Sequence, residues 1–149
     1  MNLGLMQGRL SQPTAGHIQE FPEDWELEFS SLKECRLRGV EWLVTKGCAL
    51  DNPVYATPSK VEEYPVLSIC LDTLVDKRVV NEDYLNENLV ALCESLLNCT
   101  SIRNITIPLL EESSMCDEAT RKVFCELIKK IGDSFPEINF SFEAELGTK

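Results

Sequence analysis

Short apolar runs alternate with stretches of helical spacing along the whole chain. The run LGLMQG (3–8) predicts a first strand. A helix is expected over 23–38, where Trp25, Phe29 and Leu32 recur at spacings of four and three and Gly39 stands just past the end. VEWLVT (40–45) predicts a second strand. Pro53, Pro58 and Pro65 then leave room only for a short helix at 59–64. VLSICLD (66–72) is the third strand. The next helix spans 82–97, with Asn81 as N-cap and Leu85, Leu89, Leu92 and Leu96 as its buried stripe. RNITIPLL (103–110) is the fourth strand. A helix beginning after Asp117 buries Val123, Phe124, Leu127 and Ile131 and stops at Gly132. INFSFE closes the series as a strand, with Ile138, Phe140 and Phe142 on one face and Asn139, Ser141 and Glu143 on the other.

This order, β-α-β-(short α)-β-α-β-α-β, belongs to an α/β fold with a parallel sheet and right-handed crossovers, in one domain over 1–149. Two architectures share the count: a flavodoxin-like five-stranded parallel sheet, and a partial (β/α)8 TIM barrel running from its first to its fifth strand. Glu41, Thr106 and the Asn139-Ser141-Glu143 set put polar groups on one face of strands whose other face is apolar. Sheets covered by helices on both sides want two apolar faces, whereas a barrel mouth accepts polar groups near its strand ends. The polar face therefore favours the barrel.

Composition narrows the partners. Apolar residues at 44% and charged residues at 26% suit a globular chain, and no apolar run approaches the ~20 residues of a membrane span. The opening MNLGLMQGRLS lacks the basic and apolar regions of a secretory signal. A net charge of −11 repels phosphate backbones, so neither nucleic acid nor a membrane is expected as a partner. The seven cysteines include no CxxC pair and sit mostly in apolar segments. They read as small buried hydrophobes in a reducing cytoplasm. The two Asn-X-Thr sequons, at Asn98 and Asn104, then carry little meaning.

The chemistry-bearing residues lie at strand ends. The turn after the first strand, MQGRLSQPTAGH, has neither GxGxxG nor GxxxxGK[ST], which disfavours nucleotide binding. Arg9 in that turn suits a bidentate contact with phosphate or carboxylate, or else a plain surface position. Glu41 interrupts the buried run around Trp42, so it faces either a structural partner or a cavity, since an unpaired buried carboxylate costs on the order of a few kcal/mol. Asp72 ends the third strand as a site carboxylate or a turn cap. His17, the single histidine, reads as solvated, and Glu111 and Glu112 as loop solvation. Glu143 ends the last strand on its polar face, where carboxylates supply oxygen ligands to Mg²⁺ or Mn²⁺.

LMQGRLS, followed in order by IQEFP, W..EF, GVEWLV, DNP, LSICLD, ENL and ITIPLLEESS, resembles the sugar phosphate isomerase/epimerase family of the xylose-isomerase-like TIM-barrel superfamily, from Met6 to Leu146. The resemblance implies a divalent metal (Mn, Mg, Co or Zn) and proton transfer beside a carbonyl of a sugar or sugar phosphate. It also implies that Arg9, Glu41 and Asp72 line the substrate side. Family barrels hold the metal with a Glu ending strand five, an Asp ending strand six, a His ending strand seven and a Glu ending strand eight. Glu143 in FSFEAEL matches the first, and the other three positions have no counterpart within these residues. The expectation is an N-terminal half-barrel with a shortened second helix, inactive as a lone chain. Its alternative is a non-enzymatic half-barrel that self-associates through open sheet edges.

Overall fold

The computed structural model describes residues 3–12, 20–46, 51–76 and 79–144. Five parallel strands, β1 (Gly4–Met6), β2 (Gly39–Leu43), β3 (Val66–Cys70), β4 (Asn104–Leu109) and β5 (Asn139–Ala144), pair in the sequential order β1-β2-β3-β4-β5. The helices are α1 (Trp25–Glu34), the single turns α2 (Pro53–Ala56) and α3 (Pro58–Val61), α4 (Glu82–Leu85), α5 (Ala91–Cys99) and α6 (Glu118–Ser134). The chain is thus an α/β protein with a parallel sheet.

The core lies on one side of that sheet. Val40, Trp42 and Val44 of the β2 region, Ile69 and Leu71 at β3, and Ile105, Ile107 and Leu109 of β4 join one buried cluster with Trp25, Phe29 and Leu32 of α1 and Leu92 and Leu96 of α5. Trp25 stands edge-on to Trp42 at 5.0 Å between ring centroids, and Phe124 of α6 edge-on to Phe142 at 5.6 Å. The alternate strand residues face the other way. Leu43 and Cys70 are buried there without joining the cluster.

A bulge sets the lower part of this second face. The register of β2 on β3 skips from Val40↔Val66 to Glu41↔Ser68, leaving Leu67 as the extra residue. Its side chain lies over two glycines: a Cβ at Gly4 would meet Leu67 Cδ1 at 2.5 Å, and one at Gly39 would meet the Pro65 carbonyl oxygen at 2.2 Å. The glycines make room for a leucine that a side chain on either strand would exclude.

Several predicted boundaries shift, each for a local reason. The first helix ends at Glu34 rather than near 38, because Arg36 takes a left-handed φ of 56°. The Leu37 N–H then bonds the Leu32 carbonyl at 3.0 Å, the wide closing bond of a Schellman motif, and Gly39 already belongs to β2. The expected helix at 59–64 is replaced by two proline-initiated turns, the first capped by Asn52. Asn81 caps its helix as expected, accepting from the Tyr84 N–H, and the last helix, beginning after Asp117 as expected, is capped by that residue, which accepts from the Thr120 N–H. The leucine stripe of the third helix is buried, but residues Asn86–Val90 are wound as a π-helix. Asn88 Nδ2 donates to the Tyr84 carbonyl at 2.8 Å within that widened turn. The last helix runs through Gly132 to Ser134, and Val123 is 43% exposed rather than buried.

The two glycines predict opposite outcomes in urea unfolding. Gly39→Ala drives a methyl into backbone at Pro65 and is expected to cost about 1–3 kcal/mol. Gly132→Ala, with nothing within 4 Å and helical geometry, is expected to add about 0.4–1 kcal/mol.

Candidate functional site at the carboxyl ends of the strands

The loop after β1 is organised around one buried carboxylate. Glu28 of α1 is 1% exposed. Its Oε1 and Oε2 accept from the Gly8 N–H at 2.9 and 3.0 Å, and Oε1 also accepts from the Leu10 N–H at 3.0 Å. Gly8 has φ 84°, a conformation natural to glycine that turns both amides toward one point. Backbone amides that in other folds cradle a phosphate are here occupied by the protein's own anion. Arg9 stands between the two anchored amides, half-buried, with Nη2 3.7 Å from Met6 Sδ.

Gln7 continues the sheet with its side chain. Its backbone N–H donates to the Glu41 carbonyl at 2.9 Å. One step on, Gln7 Oε1 accepts from the Leu43 N–H at 3.1 Å, where a backbone carbonyl would stand in a regular parallel ladder. Gln7 is fully buried, and its Nε2 has no partner among the described residues. At the other side of Leu43, Asn52 Nδ2 donates to the Leu43 carbonyl at 2.9 Å. Asn52 Oδ1 accepts from Trp42 Nε1 at 2.8 Å and from the Val54 N–H at 3.1 Å. Side chains therefore hold the end of β2 from both flanks.

Glu41 projects from the middle of β2 onto the polar face. Its Oε1 accepts from Ser68 Oγ of β3 at 3.0 Å and from Thr106 Oγ1 of β4 at 2.6 Å. This is the structural partnership weighed for that residue, made by two hydroxyls on neighbouring strands. Above it, Met6, Leu43, Cys70, Asp72, Pro108, Leu110 and Glu143 line a cavity of about 90 Å³. Burial pushes the Cys70 thiol well above its ordinary pKa, and the negative charges of Glu41, Asp72 and Glu143 push it the same way. The thiol is thus a neutral floor group and no nucleophile at pH 7.

The loops around the mouth are tied to one another. Tyr84 Oη donates to the Thr73 carbonyl at 2.5 Å, fixing the 3₁₀ turn that begins at Asp72. Ser113 Oγ donates to the Leu74 carbonyl at 2.6 Å and accepts from the Val79 N–H at 3.0 Å, joining the loops that follow β3 and β4. Glu111 and Glu112 are exposed, as expected of loop residues, with Glu111 at φ 48°.

Of the residues read as site candidates, Asp72 and Glu143 share the mouth cavity, Arg9 touches its wall through Met6, and Glu41 lies beneath in a hydroxyl network. Asp72 starts a turn rather than ending a strand. His17 lies outside the described residues. No group of three or more His, Cys, Asp or Glu side chains is placed to hold a metal ion among the described residues. The donor set the resemblance implies is not assembled by them. Among the described cysteines only Cys70 and Cys93 are buried, while Cys35, Cys99, Cys116 and Cys125 are exposed, against the expectation of mostly buried thiols. No described helix is long and apolar enough to cross a membrane.

Sequence reasoning passed over Glu28, although the signal was present. Trp25, Glu28, Phe29 and Leu32 fall at i, i+3, i+4 and i+7, so Glu28 occupies the apolar stripe of its helix. Gln7 gave no such signal, since its role depends on a strand 36 residues away. No protein-family model matches the chain, and no curated protein does.

Two measurements test this geometry. Glu28→Ala leaves the Gly8 and Leu10 amides without their acceptor; it is expected to cost about 3–5 kcal/mol if those amides stay dry. The same variant should speed hydrogen exchange at Gly8 and Leu10 specifically. The second concerns Cys93, whose thiol burial pushes up to about 12 from the ordinary 9.0. The folded state keeps this proton where the unfolded chain has released it, so stability falls as pH rises from about 9 toward 12. Urea midpoints of Cys93→Ala should decline less over that window than those of the parent.

Proposed function

We propose that this chain carries the first five strands of a (β/α)8 barrel of the sugar phosphate isomerase/epimerase type, and that the open mouth at its strand ends is the substrate side of such a site. One observation carries this reading: the polar face of the sheet gathers Asp72 and Glu143 around a single cavity at the carboxyl ends of strands paired in sequential order. Barrel enzymes build their sites at that end. A flavodoxin-like sheet has the order 2-1-3-4-5 and helices on both faces; the sequential order and one-sided core favour the barrel. The Glu41–Thr106 bond supports it too. Upright side chains on a flat sheet, two strand spacings apart, would stand about 9.6 Å from each other, whereas this pair meets across β3, as a sheet curled toward its polar face allows.

In this reading Asp72 and Glu143 are the groups at the cavity able to accept or return a proton beside a substrate carbonyl. Arg9, held in its loop by the Glu28 clamp, orients the substrate's polar end. Glu143 is the single residue the resemblance nominates as a metal ligand. The described residues do not complete such a centre, so the chain alone is expected to give no isomerase or epimerase turnover. A coupled assay of the pure protein on pentose and hexose phosphates, with manganese and with EDTA, checks this. Robust turnover abolished by EDTA would overturn the expectation of inactivity.

A second reading, a self-associating module, rests on where the exposed hydrophobics fall. Leu3 beside β1 and Leu27 on α1 are 53% and 65% exposed, and Phe142 on β5 and Val123 on α6 are 47% and 43% exposed. Four of the five large exposed hydrophobics among the described residues thus sit on the outermost strands and their helices, where β1 and β5 leave ladder groups unpaired among the described strands. Sedimentation over a hundredfold range of concentration tests it. This reading expects a dimer or larger species that Phe142→Glu dissociates; a monomer throughout would sink it.

A further inference from the structure

The free backbone groups at the β5 edge can be assigned residue by residue. The Asn139 N–H donates to the Arg103 carbonyl at 2.7 Å. Asn139 therefore turns its backbone groups toward β4, and so do Ser141 and Glu143, because successive residues of a strand bond to alternate sides. Phe140, Phe142 and Ala144 point their N–H and C=O groups away from β4, where no described strand receives them. The opposite edge offers less: β1 has three residues against the six of β5. The Leu3 carbonyl and the Gln7 N–H bond to the β2 side, which leaves only Gly4 and Met6 facing outward. Protected edges carry lysine, proline or a bulge. β5 has none of these and pairs one-to-one with β4 along its whole length. Its amino end is also fastened to the sheet, since Asn139 Nδ2 donates to Asn104 Oδ1 at 3.1 Å and Asn104 Nδ2 to the Leu67 carbonyl at 3.1 Å.

We infer that β5 is a docking strand for β5 of a second copy of this chain, paired antiparallel about a two-fold axis through Phe142. The inference rests on the self-association reading above and specifies its edge, direction and register. With Phe142 opposite itself, Phe140 stands opposite Ala144 of the second copy, and every outward-facing residue of the strand exchanges backbone bonds. Ser141 then stands opposite Glu143 of the second copy, in the close pair where side chains approach best. Both are exposed, and the hydroxyl donates to the carboxylate on each side of the axis. Glu143 lines the mouth cavity, so each copy supplies a donor at the other's mouth. On the opposite face Phe142, 47% exposed in one copy, is covered by its equivalent and prolongs the edge-on contact with Phe124. Neighbouring registers do worse. Setting Ser141 against itself calls on Ile138, whose N–H is already spent on the Phe135 carbonyl. Setting Glu143 against itself opposes like charges.

The test reads the register directly. Equal parts of ¹³C,¹⁵N-labelled and unlabelled full chain are mixed at a concentration where sedimentation gives a dimer, and contacts between copies are collected by isotope-filtered NOESY. We expect a between-copy contact from Ser141 Hα to Glu143 Hα. Amide hydrogen exchange at Phe140, Phe142 and Ala144 should slow as concentration rises, while the Ser141 and Glu143 amides, which face β4, stay unchanged. Ser141→Ala should raise the dimer Kd about 5–30-fold, the scale of two lost hydrogen bonds. Ala144→Pro removes an N–H that faces away from β4, so it should abolish the dimer and leave the monomer's spectrum in place. A between-copy contact from Asn139 to Glu143 overturns the register, and an unchanged Kd in Ser141→Ala counts against it too. A dimer whose newly protected amides lie at β1 or on the helices overturns the docking strand while self-association stands. A monomer at every concentration ends both together. Should Ala144→Pro not fold, the contacts of the parent and the Ser141→Ala constant decide.

Discussion

Among the described residues the shared core lies on one side of the sheet, and this constraint orders the rest of the molecule. Every strand that crosses the middle of the protein sends one set of side chains into a shared aromatic and aliphatic cluster. The other set is left to make a surface of its own. That second set must be soluble, mutually hydrogen-bonded, or covered. Nature's solution here is layered from bottom to top: Leu67 over two glycines, then the Glu41 hydroxyl network, then a small cavity rimmed by carboxylates. Charge increases toward the carboxyl ends of the strands, where loops rather than helices set the surroundings.

The loops at that end are held by side chains reaching from distant elements. Glu28 fixes the first, Asn52 secures the chain after β2, and Tyr84 and Ser113 tie down the turn after β3. The bonds are mostly side chain to backbone, so each sets a loop's path and leaves neighbouring side chains available. Rigid loops carrying unspent polar groups are the usual way a scaffold pre-organises a binding surface.

Much of this was legible from periodicity. The strands, their order in sequence, the leucine stripe of the third helix, the cap at Asn81 and the helix start after Asp117 all follow from local spacing. The polar set Glu41, Thr106 and Glu143 was also visible, because alternation of two is hard to mistake in a strand. What escaped was either conformational or long-range. Arg36 ends its helix in a left-handed geometry usually left to glycine, so Gly39 looked like the stop and was not. The π turn inserts no residue type that announces it. Cysteine is a poor guide because its size and mild polarity suit a helix exterior, as at Cys125, as readily as a core. The Gln7 and Glu28 contacts join residues 18 to 36 positions apart and become visible only once the strands are side by side.

The Glu28 clamp has a consequence for how this turn can evolve or be redesigned. A loop whose amides already converge on an anion is a receptor with a permanent tenant. Shortening that one side chain would vacate the seat while the φ 84° glycine kept its shape, and a small free acid such as formate or acetate would then fit where the carboxylate had been. The step from a structural turn to an anion-binding one is, in this architecture, a single substitution on a helix rather than a rebuilt loop.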